Sequence, residues 1–177
     1  MRAVWTGLLG ALVAATFYAE SAPDGYFFLL LGVAVAWLLV LTVWLVSIGA
    51  RALVRRSLFA LGPPDFVVPA LVPLVGALLY IHVPLHVHYR LSRPAMNSAA
   101  KRVVAHPEEA RSIRRIGLWP TSRVEKIPGG MRFLVSGSGF LDATGFAYSP
   151  KGEPASVGGE DAYEHLDGPW YVWRESW

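Results

Sequence analysis

Residues 26–47, YFFLLLGVAVAWLLVLTVWLVS, contain no charge, no proline and a single glycine. As a helix rising about 1.5 Å per residue they reach about 33 Å, enough for a hydrocarbon core of about 30 Å. Core helices of water-soluble proteins rarely run this long without a polar face. The stretch reads as a membrane span, and that reading sets the fold class.

Two further apolar runs flank it. Residues 3–19, AVWTGLLGALVAATFYA, lie between Arg2 and Glu20, at the short end of the spanning range. A cleaved signal peptide is the rival reading, because Ala19-Glu20-Ser21-Ala22 offers small residues for processing. The third run, FVVPALVPLVGALLYIHVPLHVHY, begins at Phe66 after Gly62-Pro63-Pro64-Asp65. Pro69 and Pro73 fall in its first turns and Pro84 near its end, and membrane helices tolerate proline better than soluble ones. The expected architecture is an α-helical membrane protein with about three transmembrane helices, over about 3–19, 26–47 and 66–83. A small α+β domain follows, one helix packed on an antiparallel sheet of about four to five strands.

Charge divides the chain in the same place. Residues 1–89 hold four basic and three acidic side chains, whereas 90–177 hold twelve and ten. The domains are therefore read as 1–89, helical and transmembrane, and 90–177, soluble. Charged residues make up only 16% of the chain, against about 25% in soluble proteins. The net charge of +3 is interleaved and forms no Lys/Arg stripe, which excludes nucleic acid and leaves the lipid bilayer as the expected partner. There is no cysteine, so disulfides and cysteine-based zinc sites are excluded, and no cofactor signature appears.

Between the second and third runs lies IGARALVRRSLFALG, residues 48–62. Arg51, Arg55 and Arg56 share one helical face and suit the membrane surface, as an amphipathic interfacial helix or an extension of the second span. The positive-inside rule puts these arginines and Arg2 in the cytoplasm. The first loop, ESAPDG, carries two acids and no base, so it reads as external, and the C-terminal domain follows on the outer side. Arg90, Arg93, Lys101 and Arg102, just after the third run, argue the other way. Localisation is thus the cell membrane, multi-pass, with a cytoplasmic N-terminus.

Gly7, Ala11 and Ala15 form a small-residue stripe that lets another helix approach closely, within the monomer, in a homo-oligomer or on a partner membrane protein. His82 and His86 have the i, i+4 spacing of a metal pair. Pro84 intervenes and no carboxylate lies between Asp65 and Glu108, so these rings and His88 read as boundary side chains.

In the second half, Ser92-Arg93-Pro94 looks like a helix start, with Met96, Ala99, Ala100, Val103 and Val104 on one apolar face. Strands are expected at 112–119, 122–127, 131–137, 145–149 and 169–175, with a hairpin turn at Pro128-Gly129-Gly130. Trp119, Phe133, Phe140, Phe146, Tyr148, Trp170, Tyr171 and Trp173 supply the apolar payload. Trp170 and Val172 alternate with Tyr171, Trp173 and Trp177, so both faces of the last strand need cover.

Candidate chemistry is sparse. Ser136-Gly137-Ser138-Gly139 lacks the first glycine of a nucleophile elbow and reads as a loop. GGEDAYEHLDG gathers Glu160, Asp161, Glu164, His165 and Asp167, which could bind a hard cation or supply acid/base groups. Its spacing matches no cation loop, and a solvated connection between strands explains the charges, so no catalytic or metal residue is assigned.

SRPAMNSAA, GFAYSPKG and GPWYVW, in that order, resemble segments of small uncharacterised membrane proteins of actinobacterial type, over residues 84–177. The resemblance implies a membrane protein and no activity. The expected function is a non-enzymatic membrane-anchored module whose C-terminal domain binds a protein or envelope component. An accessory subunit of a larger membrane complex and an enzyme with its site in 158–168 are the alternatives.

Overall fold

The computed structural model describes residues 2–55, 62–139, 142–156 and 161–175. The chain divides into two compact units, Met1–Ala19 with Phe28–Pro84, and Glu20–Phe27 with Leu85–Trp177. The backbone therefore passes between the units at three points. The junction before the second half falls at Pro84–Leu85, and the short segment between the first two helices belongs to the second unit.

In the first unit, α1 spans Arg2–Ala19 and α2 Phe27–Arg55. A 3-10 turn at Pro63–Phe66 leads into α3, Val67–Tyr80. The expectation of about three spans is corrected here. Among the described residues one helix, Phe27–Val54, is long and apolar enough to cross a membrane, or two if a bent pair counts as one span. The apolar part of α1, Trp5–Ala19, is a shorter helix. The third run breaks at Ile81-His82, where His82 takes a left-handed φ of 53°. Pro84 has no N–H to carry the ladder back to Tyr80, so α3 stops after 14 residues, about 21 Å, short of a bilayer.

Only 6% of the apolar window of α2 is buried within the chain, so it is no core helix of this fold. Phe28, Leu31, Leu38, Leu39, Leu45 and Val46 stand exposed along it. Helix α2 continues through Arg51 to Arg55, which favours the extension reading of that segment. Arg51 pairs with the buried Asp65 at 2.6 Å, and the Trp44 indole donates to the Asp65 carbonyl at 2.9 Å. The Arg55 side chain and Arg56 lie outside the described residues. Gly7 has open space around it, Ala11 is exposed and Ala15 half-buried, so among the described residues no neighbour covers Gly7 and Ala11 of the stripe.

In the second unit, α4 runs Val83–Ala105 and a 3-10 helix Pro107–Ser112. Six antiparallel strands follow: β1 Arg115–Ile116, β2 Trp119–Ile127, β3 Gly130–Val135, β4 Ala143–Tyr148, β5 Asp161–Asp167 and β6 Trp170–Glu175, in the order β1-β2-β3-β4-β6-β5. Three expectations change. The helix does not start at Ser92; it runs through it, and the Ser92 hydroxyl accepts the Leu118 N–H at 3.0 Å. The strand expected over 112–119 is cut by Gly117, whose φ of +61° turns β1 back on β2. Residues 161–167, expected as loop, form a sixth strand. It lies at the sheet edge, where charged side chains discourage further pairing and erase the apolar alternation a strand usually shows.

One sheet face packs on α4. Met96, Ala99, Ala100 and Val103 meet Met131, Phe133, Val135, Phe146, Trp170 and Val172 in one core. Trp119 stacks on Phe146 at 4.5 Å between ring centroids, and Phe133 on Phe146 at 5.4 Å. Each such fully buried side chain contributes roughly 1.5–3 kcal/mol. Phe140 and Trp177 lie outside the described residues.

Residues Glu20–Phe27 form a strap on this sheet. Thr144 Oγ1 donates to the Pro23 carbonyl at 2.8 Å and the Trp119 indole to the Ser21 carbonyl at 3.3 Å. Tyr26 makes a parallel bridge to Gly139, and the Gly139 N–H donates to Gly25 at 3.0 Å. Arg174 grips Asp24 through two hydrogen bonds, of 2.7 and 3.0 Å.

Two substitutions test this packing. A Cβ at Gly130 would lie 1.8 Å from the Tyr148 carbonyl oxygen, a backbone atom that cannot swing away. Gly130→Ala is expected to cost about 3 kcal/mol in urea unfolding followed by tryptophan fluorescence in a neutral detergent. Thr144→Val keeps the shape but orphans the buried Pro23 carbonyl, and should cost about 1–3 kcal/mol in the same assay.

Candidate functional site

The acidic and histidine side chains of β5 do not converge. Glu160 lies outside the described residues. Asp161, Tyr163 and His165 pair in register with Glu175, Trp173 and Tyr171, on one face, while Glu164 pairs with Val172 and takes the other. Asp161 accepts from the Trp173 indole and from Arg132, each at 2.8 Å. Glu164 sits 3.7 Å from Arg174 and is 70% exposed. The His165 ring stands edge-on to Tyr171, its Nε2 2.9 Å from the Gly168 carbonyl. Asp167, beyond a register shift, turns to α4. Among the described residues no three His, Asp or Glu side chains gather as a metal site.

Arg132 organises the face away from α4. It is only 8% exposed, in the middle of β3, and is bonded by Glu125, by Asp161 at 2.8 Å and by the Tyr163 hydroxyl at 3.2 Å. Its guanidinium lies 4.0 Å from the centroid of Trp173, with Arg123 at 5.6 Å from the same ring. Burial opposes the charged guanidinium, yet the bonds to Asp161, Glu125 and Tyr163 outweigh it and hold its pKa above the ordinary arginine value. These side chains cover Leu134, Ala147, Tyr171 and Trp173, so the second face of β6 is closed by a polar layer. The sequence signal was the lone charge in GMRFLV, an arginine between core positions. Among the described residues each charge in the network has an opposite partner.

A second constellation is open. A cleft of about 580 Å³ is lined by His86, Tyr89, Arg90, Arg93, Leu166 and Asp167. Tyr89 is 2% exposed, and its hydroxyl lies 3.3 Å from Asp167 Oδ2. Arg93 meets the same oxygen at 3.1 Å. Arg90, one turn after His86 on the same helical face, is exposed and has no carboxylate partner among the described residues. Of the other histidines, His82 stands at the helix break and His88 packs on Trp119 at 5.1 Å, so the three rings serve three different places. In the first unit, an apolar cavity of about 260 Å³ lies against Thr16, Trp37, Val75 and Leu79. There the Trp37 indole donates to Thr16 Oγ1 at 3.0 Å.

Comparison with protein-family models, with curated proteins and with solved structures finds no match to this chain.

The Arg132 layer makes two measurable claims. Asp161→Asn removes the anion that faces a buried cation and should destabilise the protein by about 3 kcal/mol in urea unfolding. The exposed Arg123→Ala should cost less than about 1 kcal/mol. Tyr163 is raised from its usual pKa, chiefly by burial, against the opposing hydrogen bond from Arg132. The folded state then holds this proton more tightly than the unfolded chain does. Stability should fall as pH rises from about 10 through the folded pKa, and Tyr163→Phe should make that alkaline decline shallower.

Proposed function

We propose that the chain is a membrane-anchored, non-catalytic module that holds a small antiparallel domain against the outer face of the cell membrane, where it binds an envelope component. In this reading α2 crosses the bilayer, its Phe27 end outside and its Arg51 end in the cytoplasm. The bent pair α3–α4 brings the chain back to the domain.

The single observation carrying the proposal is the strap. Residues 20–27 belong to the second unit and run directly into α2, the one unbroken helix among the described residues that is long and apolar enough to span. The domain therefore shares a side with the Phe27 end of α2. That end carries Glu20 and Asp24 and no base, whereas the other end carries Arg51, Arg55 and Arg56. Short loops bearing arginine stay in the cytoplasm, which favours an outer position for the strap. The uncovered apolar surface of α2 supports lipid as its solvent. A non-catalytic role is supported by the dispersal of the β5 side chains into ion pairs and ring contacts.

The natural absence of cysteine makes the test clean. Lys151→Cys, in an exposed turn of the domain, should react with a membrane-impermeant maleimide on intact cells. Ala50→Cys, near the far end of α2, should react only after the cells are broken open. The reverse labelling pattern would overturn the sidedness, and release of the protein by carbonate wash would overturn the anchor.

A further inference from the structure

We propose that the cleft on α4 binds a phosphoryl oxyanion, supplied by the headgroup of an anionic phospholipid; this names the ligand class of the module proposed above and rests on that reading. His86, Tyr89, Arg90 and Arg93 follow one another at i, i+3, i+4 and i+7, a single stripe facing the β5–β6 turn. The stripe brings two guanidinium groups to one cleft, where Arg93 meets the carboxylate of Asp167 and Arg90 does not. That carboxylate has a defined job. It holds Arg93 at 3.1 Å and the buried Tyr89 hydroxyl at 3.3 Å, so Arg93 is fixed before any ligand arrives. Arg90 keeps its five N–H donors for something else. Guanidinium groups match phosphate geometry in a paired, planar way that ammonium groups do not.

Size and position agree with the charge. The 580 Å³ volume lies within the range of small-molecule sites and exceeds what one ion needs, and Leu166 gives it an apolar wall. Along the chain, Arg90 follows the third apolar run directly, six residues after Pro84.

The experiment uses the full chain in a neutral sugar detergent, so its result does not depend on sidedness in the cell. Thermal unfolding is followed with added dihexanoyl phosphatidylglycerol, dihexanoyl phosphatidylcholine or inorganic phosphate, for the natural protein and for Arg90→Ala. Arg90 has no carboxylate partner among the described residues, so the variant should unfold at the natural temperature when no ligand is present. Phosphatidylglycerol should raise the transition in a saturable way. The apparent affinity should fall roughly tenfold or more in Arg90→Ala, and phosphatidylcholine should act weakly. Equal stabilisation by inorganic phosphate, lost in the variant, would keep the oxyanion site and overturn the lipid as its source. Stabilisation that persists unchanged in Arg90→Ala, or none with any of the three, would overturn the site. The maleimide labelling would stand or fall separately.

Discussion

Thr144 Oγ1, 1% exposed, donates to the carbonyl of Pro23 and lies 2.7 Å from Ser138 Oγ. This buried contact, with the Trp119–Ser21 and Arg174–Asp24 contacts around it, makes a connecting segment part of a sheet. Much of the rest depends on it. These contacts assign residues 20–27 to the second unit, so the backbone passes between the two units at three points.

The sheet solves two covering problems with different chemistry. Its α4 face is closed by interlocked aromatic and aliphatic side chains, where the gain comes from removing apolar area from water. Its other face carries Tyr171 and Trp173, and polar side chains pack there. The guanidinium groups of Arg132 and Arg123 lie over the Trp173 ring, and Glu125, Asp161, Tyr163 and Glu175 satisfy them. A layer of this kind seals an aromatic face without leaving a sticky patch. It does so because every charge in it has a partner.

The sequence displayed the apolar α2, the α4 core face and the β2–β3 hairpin, since each follows a local rule: uninterrupted hydropathy, a repeat near 3.6, and glycines in a turn. It displayed the third run poorly. Its composition is apolar throughout, and only the geometry at His82 and Pro84 shows that the helix cannot continue. Strand β5 was hidden because an edge strand needs neither apolar alternation nor high strand propensity; DAYEHLD is held by its partner β6. The strap was illegible for a different reason. Nothing within ESAPDGYF announces that its carbonyls will accept from the Trp119 indole and the Thr144 hydroxyl, 98 and 121 positions away. The cleft lay half in view: Arg90 and Arg93 were visible as a basic cluster, but Asp167 had been grouped with its sequence neighbours and not with Tyr89.

The separation between the strap and its partners also dictates an order of events. Pro23 waits 121 residues for Thr144, and Asp24 waits 150 for Arg174. A nascent chain is made from its N-terminus, so the strap and α2 are complete long before the sheet that clasps residues 20–27 exists. Closure of the domain is then among the last steps of biogenesis, and the slow kind, because such distant contacts gain nothing until the intervening loop is closed. During that interval the carbonyls of Ser21, Pro23 and Gly25 take their hydrogen bonds from water, until Trp119, Gly139 and Thr144 are made and can donate to them.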